Sequence, residues 1–138
     1  MKLANIFLLL SFCIVACNEP KETELLGSWR LDSVYDYHNG FTFTNRDPYP
    51  KEVHEYKNDK TMIRKGMGEQ LEYHYSCVDS ILKLTGSAGN PSGEFIIVQL
   101  DDNRLALKEN KKPMFQSKNE VRYEIRFFSK TDSLETGR

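Results

Sequence analysis

Most of the features that announce a function are scarce in this 138-residue chain. It has three cysteines, two of them within the first 17 positions, so no internal disulfide framework is available to the remainder. His38, His54 and His74 are scattered, and no His-x-x-x-His or Cys-x-x-Cys pair occurs, so neither a metal site nor a cofactor is expected. Charge of one sign is also missing: 19 Lys+Arg against 20 Asp+Glu leave a net charge of -1, too little positive field for a nucleic-acid partner. No stretch carries the 3.6-residue period of a long amphipathic helix, so the only helix expected is a short turn near Glu22 to Leu25 or in a loop. Asp101-Asp102 reads as a tight turn in which solvent keeps both carboxyls near their ordinary pKa, and Cys77 has no nucleophile signature around it. With no acid-base dyad either, the chain is not expected to be an enzyme. The Gly-rich stretch 86–93 leads into a strand and not a helix, so it reads as a flexible loop and no phosphate cradle.

One asymmetry stands out. Residues 1–17 carry a single charge, Lys2, before an apolar run that ends Ile14-Val15-Ala16-Cys17. The run is shorter than the roughly 20 residues of a spanning helix, which points to a cleaved signal peptide. Its end resembles the lipobox of bacterial lipoproteins, in which the Cys receives diacylglycerol and becomes the new N-terminus. That resemblance implies a signal peptide over 1–16, lipidation of Cys17 and anchoring by acyl chains such as palmitate, with residues 17–24 as lipidated Cys and tether. Loss of Lys2 would leave 18 Lys+Arg against 20 acids. Asn18, in place of Asp, implies sorting to the outer membrane under the rule of enteric lipoproteins.

From Leu25 the period becomes two, with β-branched and aromatic residues between turn clusters. Eight strands are expected, near 27–35, 52–57, 61–65, 71–76, 80–84, 94–100, 104–108 and 120–129. Short strands joined by turns suit an all-β, eight-stranded antiparallel up-and-down barrel over 25–138, with a β-sandwich as the alternative. Alternation places Trp29, Leu31, Tyr35, Tyr56, Ile63, Leu71, Tyr73, Tyr75, Leu82, Leu84, Phe95, Ile97, Leu105, Leu107, Tyr123, Ile125 and Phe127 inside. Short turns at 58–60, 77–79 and 101–103 fall at one end. Long connections at 36–51, 66–70, 85–93 and 109–119 fall at the other, which is the expected binding end.

Gly27-Ser28-Trp29, at the head of the first strand and soon after the lipobox, resembles the Gly-x-Trp motif of lipocalins. With Glu55 to Thr61, Asp79 to Leu84 and Asp101 to Leu107, the succession is similar to the lipocalin-like lipoproteins of Bacteroidota across nearly the whole mature chain. The resemblance implies structural roles for Gly27 and Trp29, with a basic residue of the last strand over the indole: Arg126, or Lys130 if the register slips. The chain departs from lipocalins in its shortness, in lacking a Thr-Asp-Tyr turn and in lacking their disulfide, which implies a barrel filled by its own side chains.

Tyr35, Tyr37, Phe41, Phe43 and Tyr49 concentrate aromatic area around the first long connection and are the candidate ligand contacts, either as a lid or, for Phe41 and Phe43, as a short strand plugging the mouth. The expected function is a lipid-anchored envelope binding module, monomeric, taking a small, partly apolar ligand at its open end. The alternative is a protein-interaction module, such as an immunity or envelope-assembly lipoprotein, that contacts one envelope protein.

Overall fold

The computed structural model describes residues 21–49, 51–115 and 119–132, and the expected signal peptide, lipobox and Cys17 lie outside them. A helical turn, α1 (Lys21–Leu25), precedes β1 (Gly27–His38), β2 (Phe41–Asn45), β3 (Val53–Tyr56), β4 (Thr61–Gly66), β5 (Glu69–Val78), β6 (Ile81–Gly86), β7 (Pro91–Leu100), β8 (Arg104–Asn110) and β9 (Arg122–Thr131). Each strand from β3 to β8 pairs antiparallel with the next, and β9 returns along β1 from Ser28↔Thr131 to His38↔Arg122. That last pairing closes an all-β, eight-stranded up-and-down barrel and excludes the sandwich.

The second position of the barrel wall is held by two strands. β3 pairs with Gly27 to Arg30 and β2 with Val34 to His38, both on the same edge of β1, and residues 46–49, 51 and 52 belong to neither strand. The connection expected to be one long loop over 36–51 is therefore mostly a hairpin. Its turn, Asn39-Gly40, has φ of 46° and 92°, the paired positive values of a type I′ turn. Met67-Gly68 turns the same way, at 51° and 75°, so the connection at 66–70 is also tight. Strands β6 and β7 likewise run on to Gly86 and from Pro91, shortening the third expected loop. The long connections of the open end reduce to those that join β2 to β3 and β8 to β9.

A bulge resets the alternation of β1. The register against β9 shifts between Leu31 and Ser33, making Asp32 the extra residue. Trp29 and Leu31 point inward before it, and Val34 and Asp36 after it, so Tyr35 faces out, contrary to expectation. On β9 the inward residue is Phe128, opposite Leu31, which puts Tyr123, Ile125 and Phe127 on the outer face. Ile63 is likewise outside, because its neighbour Met62 pairs with inward Tyr56 and Tyr73. Sequence alternation could not show either change, since Glu124 and Arg126 read as solvent residues and in fact point into the barrel.

The closed end is sealed from below. Residues 21–24, expected in the tether, form α1, whose Leu25 is fully buried and whose Leu25 carbonyl accepts the Trp29 Nε1–H at 2.7 Å. Glu22 accepts the Cys77 backbone N–H at 2.8 Å and pairs with Lys60, while Lys21 bonds Ser80. Gly27, at φ +117°, turns the chain from α1 into β1, and a Cβ there would press on the Lys130 stem at 3.0 Å. Above this plug Trp29, Tyr56, Met62, Leu82, Leu105, Leu107 and Phe128 fill the barrel, each contributing about 1.5–3 kcal/mol of burial. Among the described residues the closed half is therefore filled by side chains.

Candidate functional site

Toward the open end the interior changes from apolar to ionic. His54 of β3 is buried, its ring 4.8 Å from Phe128, and its Nε2 lies 3.2 Å from the Glu52 carboxylate just before β3. Glu52 lies 3.4 Å from the Arg126 guanidinium on β9. The same guanidinium donates its Nε–H to Glu124 at 2.5 Å. Lys111 then bridges Glu124, at 3.7 Å, and Glu109 of β8, at 2.6 Å. Five of these side chains are charged and alternate in sign, Glu52, Arg126, Glu124, Lys111 and Glu109, and Glu124 and Arg126 reach the interior because the bulge and the β8–β9 register turn even-numbered β9 residues inward.

Burial decides the protonation of this ring. Desolvation pushes the His54 pKa down, against the opposing pull of Glu52, so the imidazole is neutral at physiological pH. The bond from His54, aided by Arg126 and Arg64, holds the Glu52 carboxyl below its ordinary value. Burial works against the Arg126 charge, and Glu124 with Glu52 and Glu109 more than offsets it. His54 Nδ1 and Tyr56 Oη, just beneath, are buried without a protein partner, which marks the boundary between the filled half and the ionic half.

Arg64 differs from Arg126. It pairs across the strand with His54 and so faces inward, yet among the described residues no carboxylate lies within salt-bridge distance of it. Its guanidinium rests 5.6 Å from the Tyr73 ring centre. Two clefts flank Glu52. One, of about 160 Å³, is lined by Arg64, Gly66, Met67, Glu69 and Leu71; the other, of about 260 Å³, by Val34, Asp36, Phe43, Tyr49, Glu124 and Arg126. Each is below the roughly 300 Å³ of a typical ligand site, so an occupant would span both or extend onto the rim. That rim is apolar: Phe41 is 82% exposed and Tyr49 84%, with Phe43, Met67, Met114 and Phe115 also open.

The five aromatic candidates divide. Phe43 and Tyr49 line the larger cleft, and Phe41 shares their face of β2 without touching the floor. Phe41 and Phe43 do form a strand with Thr42 and Thr44, but all of it is exposed, so it neither plugs nor covers the mouth. Tyr35 and Tyr37 lie on the outer face, where Tyr37 stacks on Tyr123 at 4.7 Å and Lys108 sits 4.2 Å over the same ring. The cation over Trp29 is Lys130, 5.1 Å from the ring, while Arg126 occupies the ionic floor. The slipped register follows from Trp29↔Lys130 pairing. Missed by sequence reasoning were Glu52, Arg64 and Glu124; a charged residue at an inward strand position was the available signal.

Elsewhere the side chains are structural. Asp101 accepts the N–H groups of Asn103 and Arg104 at 2.9 Å each, and these bonds hold its carboxyl below the ordinary range expected from solvent exposure alone. Burial raises the Cys77 thiol, which sits at the closed end away from His54. A groove of about 430 Å³ on the outer wall, between Val78, Ile81, Lys83 and Glu94, has no convergent ionic set. Among the described residues no cluster of His, Cys, Asp or Glu is arranged to hold a metal ion, and no helix is long and apolar enough to cross a membrane. No known protein family and no curated protein matches the chain.

Proposed function

We propose that this chain is a lipid-anchored envelope lipoprotein, lipocalin-like in build, whose barrel mouth binds a small, partly apolar ligand. One observation carries the ligand reading: an ionic floor of Glu52, Arg64 and Arg126 lies under an aromatic rim that includes Phe43 and Tyr49, so one end of one molecule meets charge while its body meets apolar surface. Arg64, without a carboxylate partner, is the group that meets the polar end. The test is native mass spectrometry of the protein released in mild detergent, on the parent and on a Phe43→Ser/Tyr49→Ser variant. Added mass on the parent that the variant lacks is expected; no added mass on either overturns the reading.

The anchor rests on Ile14-Val15-Ala16-Cys17. Because α1 begins at Lys21, only residues 18–20 separate Cys17 from the folded domain, a reach of roughly 10–15 Å. A lipid on Cys17 would thus hold the closed end against the outer membrane and point the mouth away from it. A Cys17→Ala variant should leave the membrane fraction, and unchanged partitioning overturns the anchor. Epitope tags near Asn45 and Asp102 test orientation in intact vesicles: the Asn45 tag should be the more accessible, and the opposite result overturns it.

A further inference from the structure

The closed end is not alike all round. Its turns at 57–60 and 101–103 present exposed Lys, Asn and Asp, whereas the β5–β6 turn presents Val78, 69% exposed. Leu82 and Ile97 point inward, so Ile81 and Ile96, paired across β6 and β7, point outward beside Val78. Val98 is the extra residue of a bulge, where the register against β8 shifts between Ile97 and Gln99, and it is 49% exposed. These four side chains make an aliphatic patch on the outer wall of β5 to β7, next to the 430 Å³ groove. At the same end of the far wall stand Arg30 and Thr131. The patch is held firmly, because the Ile97 N–H bonds the Ser80 carbonyl at 2.7 Å and ties the turn to β7.

Charge does not choose what meets this patch, since Lys83 lies 3.8 Å from Glu94 and Lys60 pairs with Glu22. The path of the chain does. Lys21, the first residue of α1, bonds the Ser80 hydroxyl, and Glu22 accepts the Cys77 N–H at 2.8 Å. The chain thus reaches the domain at the β5–β6 turn and not beneath the barrel centre. Three residues separate Lys21 from Cys17, a reach of roughly 10–15 Å. A lipid on Cys17 would therefore bring the β5–β6 side of the closed end nearest to the bilayer.

Resting on the lipid anchor read from Ile14-Val15-Ala16-Cys17, we infer that the barrel leans toward β5 to β7 and that Val78, Ile81, Ile96 and Val98 lie in the interface of the bilayer that holds the lipid. The acyl chains supply the affinity and keep the patch at high local concentration beside the surface, so the patch has only to set the orientation. The lean leaves the β1–β2 wall facing away from the membrane.

The experiment places the full chain, isotopically labelled and purified with its lipid, in phosphatidylcholine nanodiscs with and without a lipid bearing a nitroxide near its headgroup. Amide line broadening is read residue by residue, and size-exclusion chromatography reports attachment. Val78, Ile81, Ile96 and Val98 should broaden several-fold more than Arg30 and Thr131. Equal broadening on both walls, or none in a chain that comigrates with the discs, overturns the lean and leaves the anchor standing. A chain that does not comigrate fails the anchor, and the lean with it. Val78→Glu/Val98→Glu alters two exposed positions and should keep comigration while losing the selective broadening, and broadening that persists overturns the proposal. Patch signals that the nitroxide leaves sharp but that shift with protein concentration would seat a second copy there. Sharp signals that differ between the parent and Cys17→Ala in detergent would seat the chain's own acyl group, and either result overturns the proposal.

Discussion

Acidification from about pH 7.5 to about pH 5.5 should cost this fold up to about 1.4 kcal/mol through His54 alone. The imidazole is buried, and desolvation depresses its folded-state pKa below the ordinary value of 6.5. The sign follows from which state takes the proton. Below about pH 6.5 the unfolded chain binds a proton at this position while the folded chain does not, so stability present at higher pH is lost as the pH falls. Protonation of the unfolded chain favours that state by a factor of about 11 at pH 5.5 and about 1.1 at pH 7.5, and that tenfold ratio, about 1.4 kcal/mol, is the ceiling, reached when the folded imidazole takes up no proton over the same range. Urea unfolding followed by circular dichroism at the two pH values reads it directly, as a midpoint shift of roughly 1 M or somewhat less. His54→Gln keeps a donor for Glu52 and removes the titration, so the variant should lose most of this dependence even if it is less stable overall. Equal pH slopes in parent and variant would refute the placement of a neutral, buried His54 beneath the mouth.

Three further outcomes follow from the geometry. Arg126→Met strands Glu52 and Glu124; breaking a buried pair costs about 3–5 kcal/mol, and partial exposure of Arg126 lowers this to about 2 kcal/mol in neutral urea unfolding. Because the folded Glu52 carboxyl is held low, its contribution is present at neutral pH and fades as the pH falls through its folded pKa, so the gap between parent and variant should narrow in acid, and a constant gap contradicts the pairing. Trp29→Phe orphans the buried Leu25 carbonyl and should cost about 1–3 kcal/mol in the same assay; an unchanged midpoint removes the indole bond from the account. Gly40→Ala meets no neighbouring atom but must hold φ near +92°, about 1 kcal/mol of strain, and should raise amide exchange in β2 while leaving β5 and β6 protected.

The barrel was legible because its strongest signals are local. Period-two runs such as Leu82–Leu84 and Leu105–Leu107 place a strand and its inner face together, and the short Asp101 and Asp79 turns fix one end of the meander. The interior of the open half was not legible, for two physical reasons. Alternation carries the inner face correctly only until a bulge, and the single extra residue Asp32 exchanged Tyr35 for Val34 and Asp36. On β9 the apolar run Phe127-Phe128 left the face undecided, and charge then biased Glu124 and Arg126 outward, although they neutralise one another within the wall. Asn39-Gly40 was a stronger hairpin signal than the aromatic content of the same stretch, and it would have revealed β2. The short turn expected near 22–25 is α1, and because Lys21 to Glu24 are polar its docking was not legible: tertiary partners such as Cys77 and Lys60 hold it against the barrel.

The proposed ligand would enter at the ionic mouth. Amide chemical shifts of the isotopically labelled protein, followed while the aromatic sulfonate 1-anilinonaphthalene-8-sulfonate is added, test it most directly. The account predicts perturbations gathered at Phe43, Arg64, Gly66, Leu71 and Arg126, weakened in Arg64→Gln. Perturbations confined to Val78, Ile81 and Lys83 on the outer wall would contradict it.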